Sequence, residues 1–122
     1  MGNREINFRF WDSKLKVMCY RLPLLNDFNH PEIIPLQFTG FYDSIGKKIY
    51  EGDILSDFTK TDEGVLQSKL QVFFNKTTGS WDLDNSFNQD KSNSVDLWLD
   101  LTDYKYKVVG NVYVNPSKKN KL

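Results

Sequence analysis

Few groups in this chain could carry chemistry: sixteen Asp and Glu, one histidine and one cysteine. The densest arrangement is "IYEGDIL", where Glu51 and Asp53 flank Gly52. Two carboxylates so placed could share acid–base work if the fold brought His30 into the same cleft. The plainer reading is a turn that starts a strand. Gly52 takes positive φ without steric cost, and Asp53 folds its carboxylate back onto backbone N–H groups. The residues favour the turn.

The neighbours of the other candidates weaken them. His30 sits in a loop bounded by Pro23 and Pro31 and reads as a surface residue rather than a general base. Cys19 alternates with Val17 and reads as a small, half-buried apolar residue. One His and one Cys do not make a zinc site of the usual kind, and no local motif supports a Cys–His dyad. "GFYDSIGKK" resembles a phosphate loop but fails its spacing. Five residues separate Gly40 from Gly46, and Lys48 stands where Ser or Thr would hold magnesium. "DLDNSFNQDKSN" starts like a calcium loop with Asp82, Asp84 and Ser86, yet has Phe87 where Gly is needed and Asn93 where Glu is needed. No catalytic set, metal or cofactor is expected.

The elements that must position these residues read as β structure. The chain has 122 residues, suited to one domain, with 15% aromatics and no alanine at all. "INFRFW" alternates, with Ile6, Phe8 and Phe10 on one face and Asn7 and Arg9 on the other. "DSK" turns it into "LKVMCY", completing a hairpin, with Asp12 bonding its own backbone. "IIPLQF" is extended, and Pro35 points to an edge position. Gly40 and a type I turn with Asp43 first and Gly46 fourth lead into "KKIY", which returns antiparallel. After the Gly52 corner come "DILSDF", a long strand over 65–75, "SWDLD", and a last strand in "YKVVGNVYV". The stretch over 95–101 fits both strand and helix periods and leans to a short helix or irregular turn.

Net charge is zero, which argues against a dedicated nucleic-acid binder. The charges are segregated, however. Residues 51–103 hold eleven Asp and Glu against four Lys and Arg, and the remainder holds five against twelve. Such polarity suits docking on a second copy or on a charged partner. No apolar run approaches the roughly eighteen residues of a membrane span. The opening "MGNREINFRF" lacks the apolar middle of a signal peptide, and Ile6 stands where a myristoylation signal wants Ser or Thr. With a single cysteine, a reducing cytoplasm is the expected setting.

Three segments, "REINFRFWD", "LQFTGFYDSIGKKIYEGDIL" and "VVGNVYVNP", resemble the signature segments of the YopX family of bacteriophages and prophages. The resemblance runs end to end in the same order. Phe10 stands where the family commonly has alanine and Phe38 where it has tyrosine, departures that bear on packing. The resemblance implies a phage-derived cytoplasmic protein, mostly β with a small barrel-like body, and implies no assigned activity. "YEGDIL" is also similar to the glycine–aspartate corner that opens a strand in SH3-like barrels.

The expectation is therefore one mainly β domain over 1–122. An N-terminal hairpin and loop occupy 1–35, an SH3-like barrel body 36–115, and a basic tail 116–122, with at most short helices. The expected role is a non-enzymatic binding or scaffold module acting on a phage or host protein, as a homo-oligomer, a dimer before a ring. The alternative is a nucleic-acid-binding accessory protein. In that reading Lys47, Lys48, Lys118, Lys119 and Lys121 meet phosphates, and Tyr42 or Tyr50 is the stacking platform.

Overall fold

The computed structural model describes residues 7–62, 64–84 and 94–114. Strands dominate them: β1 Phe8–Asp12, β2 Val17–Cys19, β3 Ile33–Tyr42, β4 Lys48–Tyr50, β5 Asp53–Thr61, β6 Gly64–Asn75, β7 Ser80–Asp84, β8 Ser94–Asp96 and β9 Lys107–Asn111. One short helix, α1 Leu97–Asp103, precedes β9, and a 3-10 turn spans Leu25–Phe28. The chain is mainly β, in two curled antiparallel sheets of order β2-β1-β3-β4 and β8-β7-β6-β5-β9. No helix among the described residues is long and apolar enough to cross a membrane.

Turn chemistry sets the hairpins. Asp12 Oδ1 accepts from Lys14 N at 3.0 Å and Leu15 N at 2.9 Å, closing the turn from β1 into β2. Gly40, at φ 91°, lies where the β3–β4 register shifts between Phe38 and Tyr42. Pro35 pairs with Phe10 of β1, while β4 begins its pairing only at Phe38. Its missing donor thus falls on the flank of β3 that has no ladder at that point. The 35/36 position lies inside β3, which pairs with β1 through Gln37 and with β4 from Phe38.

The ambiguous stretch over 95–101 splits into two elements. Ser94–Asp96 pairs with β7, and the helix starts at Leu97 because Asp96 caps it, Oδ1 accepting from Leu99 N at 3.2 Å. The last strand ends at Asn111, whose side-chain oxygen accepts from Tyr113 N and Val114 N and turns the chain away.

Ile49, Leu55, Leu70, Val72, Leu83, Leu97 and Tyr106 form the main core. A second cluster covers β1. Phe28 packs edge-on to Phe8 and Phe10 at 5.3 and 6.0 Å, and the Arg21 guanidinium lies 4.8 Å from the Phe10 ring. The loop after β2 therefore lies over one face of β1. The other face carries Arg9 and Trp11, and both are buried as well.

Candidate functional site

Arg9 lies on the face opposite Phe8 and Phe10, as the alternation places it, and that face is buried too. Arg9 is 3% exposed, and its Nη2 donates to Asp53 Oδ1 at 2.7 Å and to the Glu51 carbonyl at 3.2 Å. Its guanidinium lies 4.7 Å from the Tyr50 ring, and Nη1 reaches the Tyr20 hydroxyl at 3.4 Å. Asp53, 1% exposed, also accepts from Tyr50 N at 2.8 Å through Oδ2. Burial raises the Asp53 carboxyl above its ordinary value, while Arg9 and the Tyr50 N–H pull the other way. Local turn chemistry supplies only one of these partners. The other arrives from β1, and nothing near Asp53 in the sequence announces it.

The Glu51–Gly52–Asp53 corner joins the two sheets. Glu51 N donates to the Gln37 carbonyl of β3, and Gly52 N donates to the Val72 carbonyl of β6, both at 2.9 Å. Val112 N, just beyond β9, donates to the Gly52 carbonyl at 3.0 Å. Gly52 has φ 89°, and a Cβ there would meet Tyr113 Cε2 at 2.8 Å. Glu51 is half-buried, and burial raises its carboxyl against the pull of the Gln37 N–H, Arg9 and Lys76.

The other buried carboxylates are similarly engaged. Asp43 Oδ1 accepts from Ile45 N at 3.0 Å and Lys47 N at 2.8 Å, and its Oδ2 accepts from Val108 N at 2.9 Å. Gly46, at φ 87°, completes that turn, and Ser44 N donates to the Tyr106 carbonyl. The turn is thereby pinned to the chain entering β9. Asp27 meets Arg21 through two bonds of 2.7 and 2.8 Å and accepts from Leu24 N. Asp82 accepts from Asn75 Nδ2 and Ser80 Oγ. Ser86, Phe87 and Asn93 of the calcium-like stretch lie outside the described residues. Among the described residues, no group of three or more His, Cys, Asp or Glu is placed to hold a metal.

His30 is exposed, and its Nδ1 accepts from Glu32 N at 3.1 Å. It lines a depression of about 480 Å³ with Arg21, Asp27 and Glu32, and neither Glu51 nor Asp53 belongs to that lining. Cys19 is half-buried on β2. The nucleic-acid candidates scatter. Tyr42 and Lys47 are exposed, and Lys48 is half-buried with Nζ 5.3 Å from the Phe38 ring. Tyr50 corrects the expectation of a stacking platform: it is buried among Tyr20, Phe38 and Arg9 because it stands beside the sheet-joining corner. Lys118, Lys119 and Lys121 lie outside the described residues.

Large apolar side chains are exposed from the hairpin into the following loop, among them Leu15, Tyr20, Leu22, Leu24, Leu25 and Phe28. The sequence places Leu15 and Tyr20 in the hairpin, whose aromatics suit a two-fold contact, and the rest of this stretch in a proline-broken surface loop. The signal that could have marked it was the run of leucines around Pro23.

No curated protein matches the chain. Among solved structures it is similar to the crystal structure of protein EF1440 from Enterococcus faecalis, with a TM-score of 0.61 and 20% identity over 95% of this chain and 99% of that one. That likeness shows the fold alone. The family model for YopX protein matches residues 12–118, most of the two-sheet body just described, and the chain belongs to the YopX family.

Proposed function

We propose that this chain is a phage-derived, non-enzymatic binding or scaffold module of the bacterial cytoplasm that works through protein–protein contacts, its first partner being a second copy of itself. The observation that carries the reading is the apolar surface of the hairpin and loop, where Leu22 is 84% and Leu25 93% exposed. Contiguous apolar surface on a small soluble domain marks an interaction site. Among the described residues β2 lies at the edge of its sheet, the position where a strand of a second chain can pair. A two-fold contact through β2 and the loop would be self-complementary and closed, which makes a dimer the favoured state over a ring.

Two further features support a binding role. The buried carboxylates Asp27, Asp43 and Asp53 are each held by two or more hydrogen bonds that maintain the fold. In this reading the glycine–aspartate corner before β5 is the strand entry of an SH3-like barrel, a scaffold on which loops do the binding. Light scattering at several protein concentrations tests the proposal. The expected mass is about twice 14.3 kDa and changes little with salt, because the contact is apolar. Leu22→Glu with Leu25→Glu should return the monomer with an unchanged circular dichroism spectrum. A mass that stays at 14.3 kDa at every concentration and salt level would overturn the self-association.

A further inference from the structure

The surface helix α1 carries large apolar residues on both of its sides. Leu97 is fully buried, and Leu101, one turn on, packs half-buried against the main core. Trp98 and Leu99 are each 55% exposed. Helical spacing sets Leu99 opposite Leu97 and Leu101, with Trp98 on one flank and Asp103 on the other. A helix that packs on a core by one stripe ordinarily turns polar residues outward, and a helix apolar all round is normally covered. The outer side of α1 is thus an apolar face with no partner among the described residues. It shares no residue with the hairpin and loop, and Tyr104, which follows the helix, is exposed as well.

The charge around this face is negative. Between Ser94 and Tyr104 stand Asp96, Asp100 and Asp103, and no lysine or arginine. Asp96 accepts from Leu99 N and Asp100 from the Tyr106 hydroxyl, both neutral donors that leave the carboxylate charge in place. Lys105 and Lys107 come next in the chain. They line a depression with Asp57 and Asp103, two cations against two carboxylates. The surplus is negative, and it lies along α1.

We propose that the outer face of α1 docks a basic, apolar segment of a partner protein, with leucines or aromatic rings against Trp98 and Leu99 and lysines or arginines against the aspartates. Tryptophan is favoured at binding hot spots, where the partner buries a large ring. The carboxylates beside it repel an acidic peptide, a nucleic acid or an anionic lipid surface, and steer a cationic segment inward. The contact goes beyond self-association through the hairpin and loop and stands without it.

Anisotropy of a labelled amphipathic peptide of leucine and lysine, with tryptophan emission read on the unlabelled form, tests the face in the full chain. The Leu22→Glu, Leu25→Glu variant is titrated in parallel, which removes the apolar loop as another seat and makes the result independent of any dimer. Saturable binding is expected in both proteins, with a blue shift of Trp98 emission. Trp98→Ala should abolish the shift and weaken binding at least about fivefold. Asp103→Lys should weaken it with an unchanged circular dichroism spectrum, and a peptide with glutamate in place of lysine should bind far more weakly. No binding of the leucine–lysine peptide would overturn the proposal, as would binding indifferent to Trp98→Ala. Equal competition by polylysine would do the same by reducing the contact to charge alone. Loss of the dimer on Trp98→Ala would also overturn it, because a second copy would then be the occupant.

Discussion

Arg9 and Asp53 are 44 residues apart in sequence, and their side chains meet at 2.7 Å with almost no solvent contact. The pair ties β1 of the first sheet to the start of β5 in the second. Two buried charges lose their hydration, so removing either leaves the other uncompensated, at about 3–5 kcal/mol. Arg9→Met and Asp53→Asn should each destabilise by that order. The double substitution should cost clearly less than the sum, because no charge is then stranded. Urea unfolding of the four proteins measures the coupling; strict additivity would show that the two groups act separately.

Gly52 and Gly46 both have positive φ, but their surroundings differ. A Cβ at Gly46 meets nothing within 4 Å, whereas at Gly52 it strikes Tyr113 at 2.8 Å. Gly46→Ala should cost only backbone strain, about 1 kcal/mol, and Gly52→Ala should cost more, about 2–4 kcal/mol. Equal losses in denaturant midpoint would mean that Tyr113 swings aside freely.

Asp43 holds its own turn and, through Val108 N, the start of β9. Asp43→Ala strands those donors and should cost about 1–3 kcal/mol. Native-state hydrogen exchange should show the amides of Lys47 and Val108 opening more readily, with those of Leu70 and Val72 changing only as global stability falls. Unchanged protection at Val108 would contradict the assigned bond.

Asp27 gives the pH dependence a sign. Its bonds to Arg21 and the Leu24 N–H lower the carboxyl from 3.8 to about 2. A carboxyl lowered in the folded state stabilises fully above its unfolded value and loses that contribution as pH falls through its folded one. The loop after β2 should therefore hold above about pH 4 and loosen progressively toward pH 2. Carbon-detected titration of the Asp27 carboxyl checks this; a midpoint near 4 would show the pair to be open in solution.

Local chemistry was legible in the sequence wherever a residue answers to its near neighbours. Asp12, the turn from Asp43 to Gly46 and the Gly52 corner could be read because each satisfies backbone groups within a few residues. Alternation likewise marked β1 and β2. The stretch over 95–101 resisted because two periods fit it equally; pairing with β7 and the Asp96 cap chose strand and then helix. Arg9, Tyr50 and Tyr104 were decided by the tertiary structure alone. Alternation assigns a side chain to a face but does not say what covers that face. Partners 44 residues away buried Arg9 against Asp53, the sheet junction enclosed Tyr50, and the Asp43 turn brought exposed Tyr42 beside Tyr104. Burial depends on contacts distant in the chain, and the spacing of residues along one strand carries no record of them.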